Sequence, residues 1–328
     1  MDIRQLKYFV AIVDAGSLSK AAQKLYIAQP SLSQQMAALE DELGTQLLLR
    51  SAKGVKPTTA GNALYQRARA VLRQMEQIRA DVREEGGSES GIVAVGLPTT
   101  IAAVLAVPLF EHVRKYFPGI RLQIFESMSG YISEMLPDGR LDLAILFRDS
   151  ETHGISVIPV FDEELYVFGQ AGLKLRKSTA SCPLSALAHV PLVTPGTVNN
   201  LRLLIERTFL REEVELNIVG DIDSLPALMA IAYGGSACTI LPASAILHRA
   251  ENARPPMRRI VDPDMIRPAS VCWSHALPVS SAALAVRKAM VGLIGELHAD
   301  GRWPGITLRP PPDAATLHDT SGSTRTRL

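Results

Sequence analysis

The sequence predicts an α/β protein in three parts: a small helical N-terminal unit, one long helix, and a larger region of alternating strands and helices. Three observations carry this reading. Residues 1–58 break into short amphipathic segments punctuated by Gly and Pro. From Ile92 onward, short β-rich runs alternate with helical stretches, the pattern of open α/β sheets. Between the two, Thr58 to about Glu85 keeps one apolar stripe for about 28 residues, roughly 42 Å of helix.

The elements follow in order. Ile3, Leu6, Phe9, Val10 and Val13 recur at helical spacing, and Gly16 supplies the stop. Ser17 caps a second short helix that buries Leu18, Ala21, Ala22 and Leu25; the paired alanines let a neighbour approach closely. In a third helix Pro30 fits the first turn, Leu32, Met36, Leu39 and Leu43 form one stripe, and Gly44 ends it. "LLLRSAKGVKPTT" reads as a hairpin turning at Lys53-Gly54. Three small helices and a basic hairpin make a winged helix-turn-helix over residues 1–58.

Residues 59–90 form a linker helix and hinge. Its stripe of Leu64, Ala68, Val71, Leu72, Met75 and Ile78 fits burial against a second copy, and "EEGGSESG" has hinge composition. Residues 91–300 divide into two lobes, 91–160 with 268–300 and 161–267. Their strands include "IVAVGL", "IRLQIFE", "LDLAILF" and "LYVFG"; helices are expected over 101–116, 200–210, 224–233 and 280–298. The Pro-, Ser- and Thr-rich end, 301–328, is expected to be disordered.

Composition narrows the function. The chain is 47% hydrophobic and 20% charged, with a net charge of +1, so it is not a uniformly basic nucleic-acid binder. Yet from Leu43 to Met75 there is no acid, while Arg50, Lys53, Lys56, Arg67, Arg69 and Arg73 are all positive. Such a local basic stretch can meet a phosphate backbone. By contrast, Ala28 to Leu39 carries no charge at all, although half of that helix must face outward. No run of 18 apolar residues and no signal-peptide pattern is present, so a cytoplasmic protein without a membrane partner is expected. Cys182, Cys238 and Cys272 lie in apolar surroundings and read as reduced core thiols.

Catalytic signals are weak. His112, His153, His189, His248, His275 and His298 are scattered without metal-ligand spacing, and no G-x-S-x-G, GxGxxG or GxxxxGK[ST] occurs. The carboxylates of "GDIDS" and "PDGRLD" read as turn and cap residues. No catalytic residue, metal or cofactor is assigned. An enzyme on an α/β scaffold and a solute-binding protein are the competing classes; the basic hairpin and the missing signal peptide oppose the second.

"FVAIVDAGSLSKAAQKLYIAQPSLSQQMAALEDELGTQLLLR…PTTAG" resembles the DNA-binding domain of LysR-type transcriptional regulators. The resemblance rests on Gly16-Ser17, Ala21-Ala22, Gln29-Pro30, Ser33, Leu39-Glu40, Leu43-Gly44, Arg50, Thr58 and Ala60-Gly61 at fixed spacings. Departures are Ala28 for a common Ser, Leu48 for Phe and Pro57 for an aliphatic residue; two segments are similar to the nitrogen assimilation control branch. The resemblance covers about residues 1–300 and implies a periplasmic-binding-protein-like effector domain. It also implies a homodimer or homotetramer on double-stranded promoter DNA, RNA polymerase as partner of an activator, and a small-molecule effector. In the nitrogen assimilation control branch it implies action without an inducer instead.

Site expectations follow. With Leu32, Met36 and Leu39 inward, Ser31, Gln34, Gln35 and Ala38 face DNA, bordered by Gln29 and Ser33. Gln pairs bidentately with adenine, and Ser donates or accepts. Pro30 and Thr58 join this set by resemblance, and Arg50, Lys53 and Lys56 are assigned to phosphates. A polar solvated helix is the plainer alternative. For an anionic effector, strand ends near helix N-termini nominate Pro98, Thr99 and Thr100, then Ser127 and Ser129, then Thr197, Asn199 and Asn200, with Arg148 nearby. The competing explanation is that Thr99, Thr100, Thr197 and Asn199 simply cap helices.

Overall fold

A computed structural model describes residues 1–51, 54–83, 89–151, 154–176, 179–197, 199–247, 255–275 and 278–310. The N-terminal unit packs α1 (Ile3–Ala15), α2 (Leu18–Leu25) and α3 (Gln29–Leu43) against the antiparallel hairpin β1 (Leu48–Ser51) and β2 (Gly54–Pro57). Phe9, Ile12, Ala21, Ala22, Leu32, Met36, Leu39, Leu47 and Val55 form its core. Leu43, expected in the buried stripe, is instead 40% exposed, because α3 has by then run past its partners. Gly16 and Gly44 end α1 and α3 in the left-handed region.

Helix α4 (Thr59–Arg83) leaves this unit under a tight constraint. The Thr58 hydroxyl donates to Gln46 O at 2.7 Å and accepts from Gly61 N at 2.9 Å, so Thr58 caps the helix. A Cβ on Gly61 would lie 2.0 Å from Leu47 O, which only glycine avoids.

The large region contains two lobes. In the first, β3 (Gly91–Pro98), β4 (Ile120–Ser127) and β5 (Leu143–Leu146) lie in parallel, with order β4-β3-β5. Helices α5 (Thr99–Tyr116), α6 (Ser129–Met135) and α9 (Ser281–Ala299) complete it. In the second, β7 (Ser181–Pro183), β8 (Pro191–Thr194), β9 (Asn217–Asp221), β10 (Thr239–Pro242) and β11 (Met257–Val261) pack with α7 (Asn200–Arg211) and α8 (Leu225–Gly234). Each lobe has its own apolar core.

Two long strands join the lobes. β6 (Ile155–Phe168) and β12 (Ile266–Ser274) pair antiparallel throughout, with a bulge opposite Ala269/Ser270. Sequence patterning recovers only the end of β6, Leu165–Phe168, and the expected lobe boundary at 160/161 falls inside the strand. Pro159 hides the first half, since proline usually argues against a central strand; here it sits at the bulge, where a missing N–H is tolerated.

The expectation of disorder from 301 onward does not hold for residues 301–309. Trp303 is fully buried against Phe161, and β13 (Ile306–Leu308) adds an antiparallel partner to β6. Arg309 then forms a bidentate pair with Asp162 at 2.7 and 3.0 Å. Residues 311–328, like the hinge residues 84–88, lie outside the described residues.

Candidate nucleic-acid interface and inter-lobe cleft

Leu32, Met36 and Leu39 anchor α3 in the core, so the helix has a defined outer face. Gln29, Pro30, Ser31, Gln34, Ala37 and Ala38 are exposed on it, and Ser33 and Gln35 are half-buried at its border. Glu40 ties the wing to this helix: one carboxylate oxygen accepts from Leu47 N at 2.7 Å and Leu48 N at 3.0 Å. The wing also meets α1, with Val55 N donating to Gly16 O at 2.8 Å. A Cβ on Gly54 would lie 2.6 Å from that same oxygen.

Arg50 and Lys56 are exposed on the wing, while Lys53 lies outside the described residues. Arg50 Nη1 donates to Ser33 Oγ at 2.9 Å, so this wing cation also touches the outer face of α3. The other half of the basic run is committed elsewhere. Arg67 pairs with Asp138 at 3.4 Å, and Arg73 pairs with Asp142 and donates to Gly139 O at 3.2 Å. Arg69 donates to the Tyr65 hydroxyl, which itself donates to Asp14. Arg67 and Arg73 thus tie α4 to the first lobe, while Arg69 bonds Tyr65 of its own helix. Helical spacing alone cannot say which neighbour a face will meet.

One residue on this side escapes sequence reading. Tyr26, at the turn into α3, is 95% exposed and held at φ 56, a conformation uncommon outside glycine. An aromatic beside the outer face in a left-handed turn leaves no periodic signal.

Between the lobes lies a cavity of about 370 Å³. Of the nominated residues, Pro98, Thr99, Thr100, Ser127, Ser129 and Asn199 line it; Thr197, Asn200 and Arg148 do not. Arg148 turns toward α6 and donates to Ser133 Oγ at 2.8 Å, while its carbonyl accepts from Ser270 Oγ. Capping explains Asn199, which accepts from Leu201 N at 2.9 Å, but not the threonines: Pro98 holds the N-cap position of α5 and makes no side-chain cap. The first N–H groups of α5 and α6 therefore lack a side-chain cap at the cleft.

The charged members of the cleft are Glu126, Asp223 and Arg267, none of them nominated by sequence. Arg267, 5% exposed, faces Glu163, 1% exposed, across β12 and β6. Its Nε and Nη2 lie 2.8 and 2.7 Å from one Glu163 oxygen, and its guanidinium stacks 3.5 Å from the Phe147 ring centroid. Burial lowers the Arg267 pKa, and the adjacent Glu163 carboxylate opposes that shift. A third contact, 3.4 Å to Thr100 Oγ1, links the pair to the cleft wall. Asp223 accepts from Gly196 N at 2.8 Å and closes the second lobe's side.

Residues 3–62 match the model for bacterial regulatory helix-turn-helix proteins of the lysR family, and residues 86–293 match the LysR substrate binding domain. The nitrogen assimilation regulatory protein nac of Klebsiella aerogenes is 37% identical over 92% of this chain and 98% of its own. A probable cat1 operon transcriptional activator of Acinetobacter lwoffii is 27% identical over 92% and 97%. Among solved structures, CbnR, a LysR family transcriptional regulator, is 26% identical with a TM-score of 0.66 over 89% of this chain and 99% of CbnR. It is also solved with its target DNA. A full-length OxyR variant from Pseudomonas aeruginosa shares the fold, with a TM-score of 0.69 at 23% identity over 95% and 99%.

Proposed function

This chain belongs to the LysR family of DNA-binding transcriptional regulators, and from that premise we propose how its parts divide the work. Gln29, Pro30, Ser31, Ser33, Gln34 and Gln35 read base edges in the major groove, while Arg50, Lys53 and Lys56 hold phosphates from the wing. Thr58 contributes by capping α4, which sets the wing's attachment to the linker helix. The carrying observation is the uncharged outer face of α3, framed by a wing whose cation hydrogen-bonds Ser33.

Two copies pair through α4, whose Val71 and Ile78 are exposed in the single chain. Further pairing uses the apolar exposed residues Val107 and Phe110 of α5 and Leu203, Leu210 and Val219 of the second lobe. A dimer or tetramer so built meets an interrupted palindrome in cytoplasmic promoter DNA, and as an activator it would engage RNA polymerase. A small-molecule effector occupies the inter-lobe cleft, with hydrogen bonds from Thr99, Thr100, Ser127, Ser129 and Asn199. That formed, polar-lined cavity supports a ligand-responsive regulator over one acting without an inducer. An anionic group there would rely on the N–H groups of α5 and α6, since Glu163 already holds Arg267.

Removing residues 1–58 tests the reading. The truncated protein is expected to lose specific retention of the promoter fragment next to its own gene. Retention by the truncated chain would sink it.

A further inference from the structure

A second cavity, of about 210 Å³, lies where the DNA-binding unit, the linker helix and the first lobe meet. Arg69 and Arg73 enter it from α4 and Arg140 from the loop after α6; Val10, Phe125 and Met135 supply apolar walls from α1, β4 and α6. No Asp or Glu lines it among the described residues. The nearby carboxylates are already engaged. Asp142 pairs with Arg73 and accepts from Ala94 N at 2.8 Å, Asp138 pairs with Arg67, and Asp14 accepts from Tyr65. Arg73 Nε is buried with no hydrogen-bond partner among the described residues. Arg140 has no side-chain partner there either, although its backbone N–H fixes the loop by donating to Met135 O at 3.0 Å. The inter-lobe cleft has the opposite balance: its one guanidinium is held by Glu163, and Glu126 and Asp223 line it.

Arg69 is exposed and Arg73 already pairs with Asp142, so the unmatched groups are the half-buried Arg140 guanidinium and the enclosed Arg73 Nε, which a bound anion would satisfy. The apolar walls select what kind. A cavity of about 210 Å³ has room for a small organic acid. We propose that this joint is a second ligand site, taking a small amphipathic anion of the aryl or branched aliphatic carboxylate class. Its carboxylate bridges Arg140 and Arg73, and its apolar body rests on Phe125, Met135 and Val10. Because the walls come from three parts of the chain, the occupant fastens the DNA-binding unit to the effector domain. The site is separate from the cleft and does not depend on what the cleft binds.

Titration calorimetry on the full-length protein tests this, with benzoate, 4-methylpentanoate and sulfate as probes. Both carboxylates are expected to bind saturably and more tightly than sulfate. Arg140→Gln should weaken benzoate about tenfold or more, as loss of one charge-assisted contact does. Phe125→Ala should weaken benzoate and leave sulfate unchanged, whereas Arg207→Gln, which removes an exposed cation outside both cavities, should change neither. The proposal is overturned by absence of saturable carboxylate binding, or by sulfate binding as tightly as benzoate. It is equally overturned if Ser129→Ala abolishes benzoate binding while Arg140→Gln leaves it intact, which would assign the anion to the cleft.

Discussion

Ser33 illustrates how one contact changes what a residue can read. A free hydroxyl donates or accepts, but the Arg50 guanidinium already donates to Ser33 Oγ and places positive charge beside it. Toward DNA, Ser33 keeps its O–H donor and one lone pair, and the adjacent positive charge favours donation, to acceptors such as guanine O6 and N7 or thymine O4. Arg50→Met is therefore expected to weaken binding generally and also relax preference at one base position; selection from randomised operators reads both effects. The buried pair Arg267 and Glu163 governs stability instead. Removing one partner leaves an uncompensated charge, so Arg267→Met should lower unfolding free energy by about 3–5 kcal/mol in urea melts. Replacing both residues by Met should restore much of that loss. At the thiols, burial pushes Cys238 up to about 11 and Cys272 up to about 12, and raises Cys182 as well. All three therefore stay protonated and enclosed near neutral pH. Several relatives are hydrogen peroxide-inducible genes activators. This chain is nevertheless expected to resist a thiol-reactive dye until denatured and to keep its DNA affinity in dilute peroxide.

Among the elements, α4 carries the most. It is capped by Thr58, passes Leu47 closely at Gly61, pairs Arg73 with Asp142, and exposes Ile78 at 58%. Ile78→Glu is expected to shift sedimentation toward a smaller species and weaken operator binding, because paired half-sites need paired chains. An unchanged sedimentation profile would remove α4 from the interface. Helix starts were legible at Ser17, Ser224 and Ser280, and each accepts from a first-turn N–H, although only the Ser17 cap was expected from sequence. Partners were not legible. Periodicity places Arg69 and Arg73, four apart, on one helical face, but only packing shows Arg67 meeting Asp138 and Arg73 meeting Asp142 of "PDGRLD". Pro159 and β13 were missed for a related reason, since non-local pairing overrode local signals.

For the whole molecule, the division into reading head, linker and two-lobed domain followed from hydrophobic period and turn chemistry, which depend on near neighbours in sequence. The cleft was half legible. Strand ends followed by helix starts disclosed Thr99, Thr100, Ser127, Ser129 and Asn199, whereas Arg267 sits inside a strand with no local mark. Its partner Glu163 is 104 residues away. In the proposed division of labour, α3 specifies bases while the wing holds phosphates. Fluorescence anisotropy on an operator and on a scrambled duplex, across a salt series, separates these roles. Gln34→Ala is expected to lose about 1–3 kcal/mol on the operator with its salt slope unchanged and its scrambled binding unaffected. Lys56→Ala should weaken both duplexes alike and flatten the slope by about one unit. Equal losses on both duplexes for the two variants, with the same change in slope, would contradict the division of labour between α3 and the wing.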